Sequence, residues 1–359
     1  MFEHPGTIVV YKLPISDPSK LWNNYVMHKR VQHSFMSLPY LEGQVEVPCC
    51  FWYGSPSTRA FWDEHLDRFP ETPEFPRKPR HVLCMERIFP LPRPVRHALI
   101  DKYCPPKGQD LMKANEANKD CLVRPCLGRL KYGTGGQFYS LRNFKLHSDQ
   151  IKDLDLADLE LSIAMAHALA VLHWHAKIDA KDVEFVLGSS PIEEQKVRNE
   201  VDIARVMSMR PHTSTYEEAT HTKANFTRRI TSLWMLDFDD CGDITRDTAG
   251  VDKAVKAFLE TNFYCPKPNT GNPFIENTWK DFAQKYVQYS HFILEKVLKL
   301  PALKHLPLQF ISKICEKAAI QQRQGQESPQ TRPPRRGGGG GSPSNMPSRR
   351  GSHTVGSAG

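Results

Sequence analysis

The sequence predicts an α+β protein with a two-lobed, kinase-like fold: a small, truncated N-terminal lobe and a mainly helical C-terminal lobe. Three observations predict it. A β-branched run carrying Lys12 precedes the first helical pattern. A long apolar helix runs into "LHWHAKIDAKDVEFVLG" (172–188), a loop of acids followed by a strand. A second strand, "LWMLDFDD" (233–240), ends in acids again. The expected boundaries are 1–90 for the strand and helix lobe and 91–320 for the helical lobe, which carries an insertion at about 189–231. Residues 321–359 form the tail.

In chain order, "GTIVVYKL" (6–13) follows a Pro-Gly turn and reads as a strand. Ser16 to Ser19 can cap a helix over about 20–35, whose Leu21, Tyr25, Val31 and Phe35 recur at helical spacing. A middle stretch broken by prolines follows, with "HVLCMERIF" and "CLVRPCLGRL" as strand candidates, the second weakened by Pro125. The clearest helix is expected from Leu156 to Ala176, capped by Asp155, with an apolar stripe through Leu159, Ile163, Ala166, Leu169 and Leu172. "VEFVLG" and "SLWMLDF" read as short strands, and helices fit Val251 to Thr261 and Trp279 to Val297. From Gln321 onward Gly, Ser, Pro, Arg and Gln dominate, a composition that buries no core and predicts disorder.

The net charge of +8 is concentrated in that tail, where six arginines face only Glu327, leaving +3 for residues 1–320. That balance gives no nucleic-acid footprint. The N-terminus lacks a basic stretch before an apolar core, and the greasiest run, Leu159 to Trp174, is too short to span a bilayer. An intracellular protein, cytoplasmic or nuclear, with nine reduced cysteines is expected.

The acidic segments carry the chemistry. Aligned on Asp179, "DAKDVEFVL" follows the kinase pattern of Asp, four residues, Asn and a strand, with Glu184 in place of Asn. Asp237 matches the metal-binding Asp of Asp-Phe-Gly, with Asp239 in place of Gly. Phosphoryl transfer needs a carboxylate beside the attacking hydroxyl and hard oxygen ligands to hold magnesium on the phosphates. The expected roles are therefore Asp179 as base, Glu184 and Asp237 on magnesium, Lys12 on the phosphates of ATP, and Glu86 at the hinge against adenine. A protein or a small molecule is the expected substrate or partner. The plainer alternative places these acids in solvated turns.

Departures from an active site are also visible. One glycine, Gly6, precedes Lys12 where a Gly-rich loop belongs, and Asn23 and Asn24 occupy the window of the acid that would pair with Lys12. Lys177 stands two residues before Asp179. A degenerate, pseudokinase-like binding protein is thus the first expectation, an active phosphotransferase the second, and a structural or zinc-stabilised module the third. Zinc is disfavoured: the chain has no C-x-x-C pair, Cys121 and Cys126 flank a proline, and His173 and His175 diverge if helical.

Together, "LWNNYVMHKRV", "MERIFPLPRPVR", "NKDCLVRPCLG", "YSLRNFKLH", "MAHALAVLHWHAKIDAKDVEFVLGSS", "LWMLDFDDC" and "AGVDKAVKAF" resemble the fungal domain of unknown function 3669. Its members are sometimes labelled zinc finger protein. The resemblance covers roughly residues 2–290 and implies a fungal origin without supplying an activity.

Overall fold

The computed structural model describes residues 1–4, 6–14, 16–38, 45–69, 71–72, 76–131, 139–156, 158–192, 203–215 and 225–327. The chain is a mixed α+β fold with small sheets. It begins with β1 (Phe2–Glu3), β2 (Val9–Lys12), α1 (Pro18–Met36), β3 (Val45–Glu46), β4 (Cys50–Gly54), α2 (Arg59–His65) and β5 (Val82–Glu86). Next come α3 (Arg93–Tyr103), α4 (Gln109–Ala114), β6 (Arg124–Cys126), β7 (Lys145–His147), α5 (Ser148–Asp153) and α6 (Asp158–Ala170). The remainder is β8 (Glu184–Ile192), α7 (Ile203–Ser208), β9 (Asn225–Leu236), α8 (Thr248–Glu260), α9 (Pro273–Phe292) and α10 (His305–Glu327).

The first sheet is antiparallel throughout, in the order β1-β2-β5-β4. Strand alternation sends its side chains to two faces. Val9, Tyr11, Trp52, Val82 and Cys84 pack with Phe61, Trp62 and Phe69 on the α2 side. Val10, Tyr53, Leu83 and Met85 meet Leu21 and Tyr25 of α1 on the other. A bulge between Cys50 and Trp52 breaks the β4 register, so Cys50 also joins the α1 face.

α1 starts where its sequence says: the Asp17 side chain accepts from the Ser19 amide, and Pro18 fills the first turn, where an N–H has no partner to lose. Its Leu21 and Tyr25 serve the sheet, while Met27 and Val31 enter the main core. That core centres on α6 packed against α9. Arg30 locks α1 to the chain after α6, donating to the Ala176 carbonyl at 2.6 Å and pairing with Asp243.

The α6 helix departs from expectation at both ends. Asp155 lies in a left-handed turn (φ 50°) and the helix begins at Asp158. Past Ala170 it widens into a π-helical turn over Val171–His175, which delivers the chain to the Asp179 loop.

The two strands after it are also longer than their apolar cores suggested. β8 and β9 form an antiparallel hairpin of nine and twelve residues that runs into the expected insertion. The described part of that insertion packs on the first sheet and α1: Val206 of α7 joins Val10 and Tyr25, and the Thr215 amide donates to the Tyr53 carbonyl at 2.7 Å. Thr215 thereby covers the edge strand β4. β3 pairs parallel with β9, and β6, holding Pro125, pairs parallel with β7.

α10 runs to Glu327, so residues 321–327 continue a helix where disorder was expected; the rest of the tail lies outside the described residues. Among the described residues no helix is long and apolar enough to cross a membrane.

His167 is an unmatched polar group in the main core. It is 3% exposed, lies against the rings of Phe35 and Tyr289, and neither ring nitrogen has a hydrogen bond among the described residues. Burial pulls its pKa down to about 4. A depressed histidine pKa means that the unfolded chain takes up the proton first. The stability tied to the neutral ring is full above the unfolded pKa, about 6.5, and fades as pH falls toward 4, by roughly 3 kcal/mol. His167→Phe is expected to raise stability at pH 7 by about 1 kcal/mol and to flatten this acid-side loss. Urea unfolding at pH 7 and pH 5 measures both.

Candidate functional site

The site forms where the first sheet meets the end of the β8–β9 hairpin. Because Val10 and Lys12 alternate with Val9 and Tyr11, Lys12 points toward α1 and the end of β9. Its Nζ lies 2.7 Å from Asp237 Oδ1 and 3.1 Å from Asp239 Oδ2. The three side chains are 21%, 34% and 25% exposed, a partly dried site in which the charges feel one another. Burial lowers the Lys12 pKa, but the charges and hydrogen bonds of Asp237 and Asp239 more than offset it, leaving the ammonium above its ordinary range.

The turn after β9 is held by α1. Asn24 Oδ1 accepts from the Phe238 amide at 3.3 Å, and Asn23 Nδ2 donates to the carbonyls of Asp239 and Cys241, both at 2.9 Å. Asp237 itself is left-handed (φ 65°), as are Lys177, Ala180 and Asp182 in the facing loop. Such backbone costs energy and persists only where the surroundings fix it.

Glu184 opens β8 opposite Leu236, one residue before Asp237. Its Oε2 accepts from Arg124 at 2.7 Å. Burial is the main reason its pKa is raised; the Asp237 and Asp182 charges add to this, against the pull of Arg124.

Asp179, the expected base, is 3% exposed and committed to its own loop. Its Oδ1 accepts from the amides of Gly242 at 2.9 Å and Lys181 at 3.1 Å, its amide donates to the Gly242 carbonyl, and its Oδ2 faces Lys253 at 3.5 Å. Asp179 is therefore a clamp between the 177–182 loop and the 241–243 turn.

Glu86 is likewise occupied within the sheet. Its Oε2 accepts from the Cys49 amide at 2.8 Å, its amide donates to the Cys49 carbonyl at 2.7 Å, and the Arg87 amide donates to Ile8. The Phe89 amide bonds Ser189 of β8 at 2.9 Å, which fastens the connecting segment to the hairpin. Between them the Ile88 amide donates to no protein group among the described residues, and Ile88 lines a cleft. This cleft, of about 480 Å³, is lined by Val10 and Met85 of the sheet together with Leu122 and Leu236.

The structure therefore joins Lys12 to Asp237, with Glu184 one register step away, and gives Asp179 and Glu86 local duties. Sequence reasoning missed Asp239 as a second partner of Lys12, although the acid run "DFDD" carried the signal. Arg124, 60 residues from Glu184, had none.

Glu184 and Asp237, expected on magnesium, each face a fixed cation. Among the described residues no three His, Cys, Asp or Glu side chains are placed to hold a metal ion.

The DUF3669 family model, described as a zinc finger protein, matches residues 233–297. The match runs from the end of β9 through the Asp237 turn, α8 and α9, a smaller part than the resemblance read over 2–290. No curated protein and no solved structure matches the chain. Burial pushes the thiols of Cys121, Cys126 and Cys265 up to about 12.

The Lys12–Asp237 pair is testable directly. A double-mutant cycle with Lys12→Met and Asp237→Asn is expected to show a coupling of about 1 kcal/mol that shrinks in high salt. The raised lysine pKa fixes the sign with pH: the coupling is full below about 10.5 and is lost only as pH rises through the higher folded value. Chemical unfolding of the four proteins measures it, and a coupling of zero at low salt would remove the pair as an organiser of the site.

Proposed function

We propose that the chain is a two-lobed, kinase-like protein that binds a purine nucleotide, foremost ATP, without transferring its phosphoryl group. The observation that carries this reading is the Lys12 ammonium held by Asp237 and Asp239 while the Asp179 carboxylate is turned into the loop framework. In an active phosphotransferase the first acid would be free for magnesium and the last would face the attacking hydroxyl. Here the cationic role at the acids belongs to Lys12, whose third N–H remains for a phosphate oxygen.

The cleft supports the binding half of the proposal. An adenine packed on Val10, Met85, Leu122 and Leu236 removes apolar surface from water, and the open Ile88 amide offers a donor to its edge. Gly188 belongs to the same arrangement: a Cβ there would strike the Ile88 side chain and approach Leu122 Cδ2 to 3.0 Å, so glycine lets β8 pass close beneath the connecting segment. With both lobes linked through α1 and Lys12, nucleotide occupancy would set their spacing for a partner protein.

Two outcomes are expected from titration with a fluorescent N-methylanthraniloyl-ATP. Binding is saturable and survives EDTA, because Lys12 rather than a metal neutralises the acids. Leu122→Trp, which fills the cleft, weakens binding about tenfold, ~1.4 kcal/mol. Release of the γ-phosphate stays at the buffer rate. Absence of saturable binding would overturn the nucleotide reading; binding that requires magnesium would return Asp237 and Glu184 to metal ligation.

A further inference from the structure

The opposite face of the first sheet holds a second cavity, of about 380 Å³, which the nucleotide reading does not use. Its apolar walls are the rings of Phe2, Tyr11 and Phe69: Phe2 meets Phe69 edge-on at 5.5 Å between centroids, and Tyr11 lies 5.7 Å from Phe69. Its polar groups are His4, His65 and Arg68.

The charges around this cavity leave one cation over. Arg68 NH1 donates to His4 Nε2 at 2.6 Å, which makes that nitrogen the acceptor and leaves the His4 proton on Nδ1, 3.3 Å from the Tyr11 hydroxyl. Glu3, at the rim, is taken by Arg87. The Arg68 guanidinium therefore has no carboxylate partner among the described residues. His65 is nine-tenths buried; its Nδ1 has no hydrogen bond among them, with Glu64 Oε1 at 3.7 Å.

We infer that this cavity is a binding site for a small aromatic carboxylate. The cavity falls within the usual range for small-molecule sites, about 300–1,000 Å³, and the rings of Phe2, Tyr11 and Phe69 form an apolar wall on which a ligand's ring can pack. A carboxylate matches the planar fork of Arg68, which can present two parallel N–H groups. His65 lines the same cavity. A neutral aromatic would leave the guanidinium unanswered, and a phosphate dianion would exceed the single fixed positive charge. The inference stands whether or not the other cleft takes a nucleotide.

Isothermal titration of the full chain with 2-naphthoate tests it. One-to-one binding is expected, with 2-naphthylmethanol at least tenfold weaker and Arg68→Gln, an exposed position, costing the acid about the same factor. Leu122→Trp, which fills the other cleft, is expected to leave 2-naphthoate binding unchanged. Circular dichroism checks that each variant is folded. The proposal is overturned if the acid does not bind, if acid and alcohol bind equally, if Arg68→Gln binds as the parent does, or if Leu122→Trp abolishes binding.

Discussion

The ion pair from Lys12 to Asp237 and Asp239 spans 225 residues and fixes where the first sheet stands relative to the β8–β9 hairpin. A partly buried lysine between two carboxylates is satisfied only if all three approach closely, because each left alone in a drying environment costs several kcal/mol in the limiting case. The turn after β9 must therefore bring both acids forward, which places Asp237 in the left-handed region. Asn23 and Asn24 hold that turn from α1. Their amides take the position where an acid was expected for Lys12, and an acid there would compete with Asp237 for the same ammonium.

α1 carries the second constraint, since it belongs to two cores at once. Its Leu21 and Tyr25 pack under the sheet, and its Met27 and Val31 join the helical core. Arg30 and the asparagines then attach the same helix to both acidic loops. Movement of α1 would disturb packing on both sides and the geometry of Asp237 together. Four left-handed non-glycine residues gathered in these two loops, Lys177, Ala180, Asp182 and Asp237, show where strain is concentrated. The Asp179 clamp is what keeps the loops joined.

Both cavities border the first sheet, on opposite faces, and share β1 as a wall: Phe2 and Glu3 line each, as does Arg68. A two-residue strand divides them.

Much of the framework was legible because it is local. Helix capping by Asp17, the apolar faces of α1 and α9, and the pairing potential of the 82–86 and 233–236 runs follow from spacing alone. The nearness of Lys12 to Asp237, 225 residues apart, rested instead on the kinase-like order of motifs. The orientation of the acids was not legible. Asp179 and Asp237 look equivalent in sequence, both at loop–strand junctions, yet one accepts backbone amides and the other an ammonium. Arg124 on Glu184, the Cys49 amide on Glu86 and the π turn before Asp179 all depend on partners distant in the chain or on how a helix end packs. Hydrophobic period and capping chemistry are properties of neighbouring residues, so the sequence determined the elements. Which charge meets which is a matter of distance and burial, and those exist only once the elements have packed.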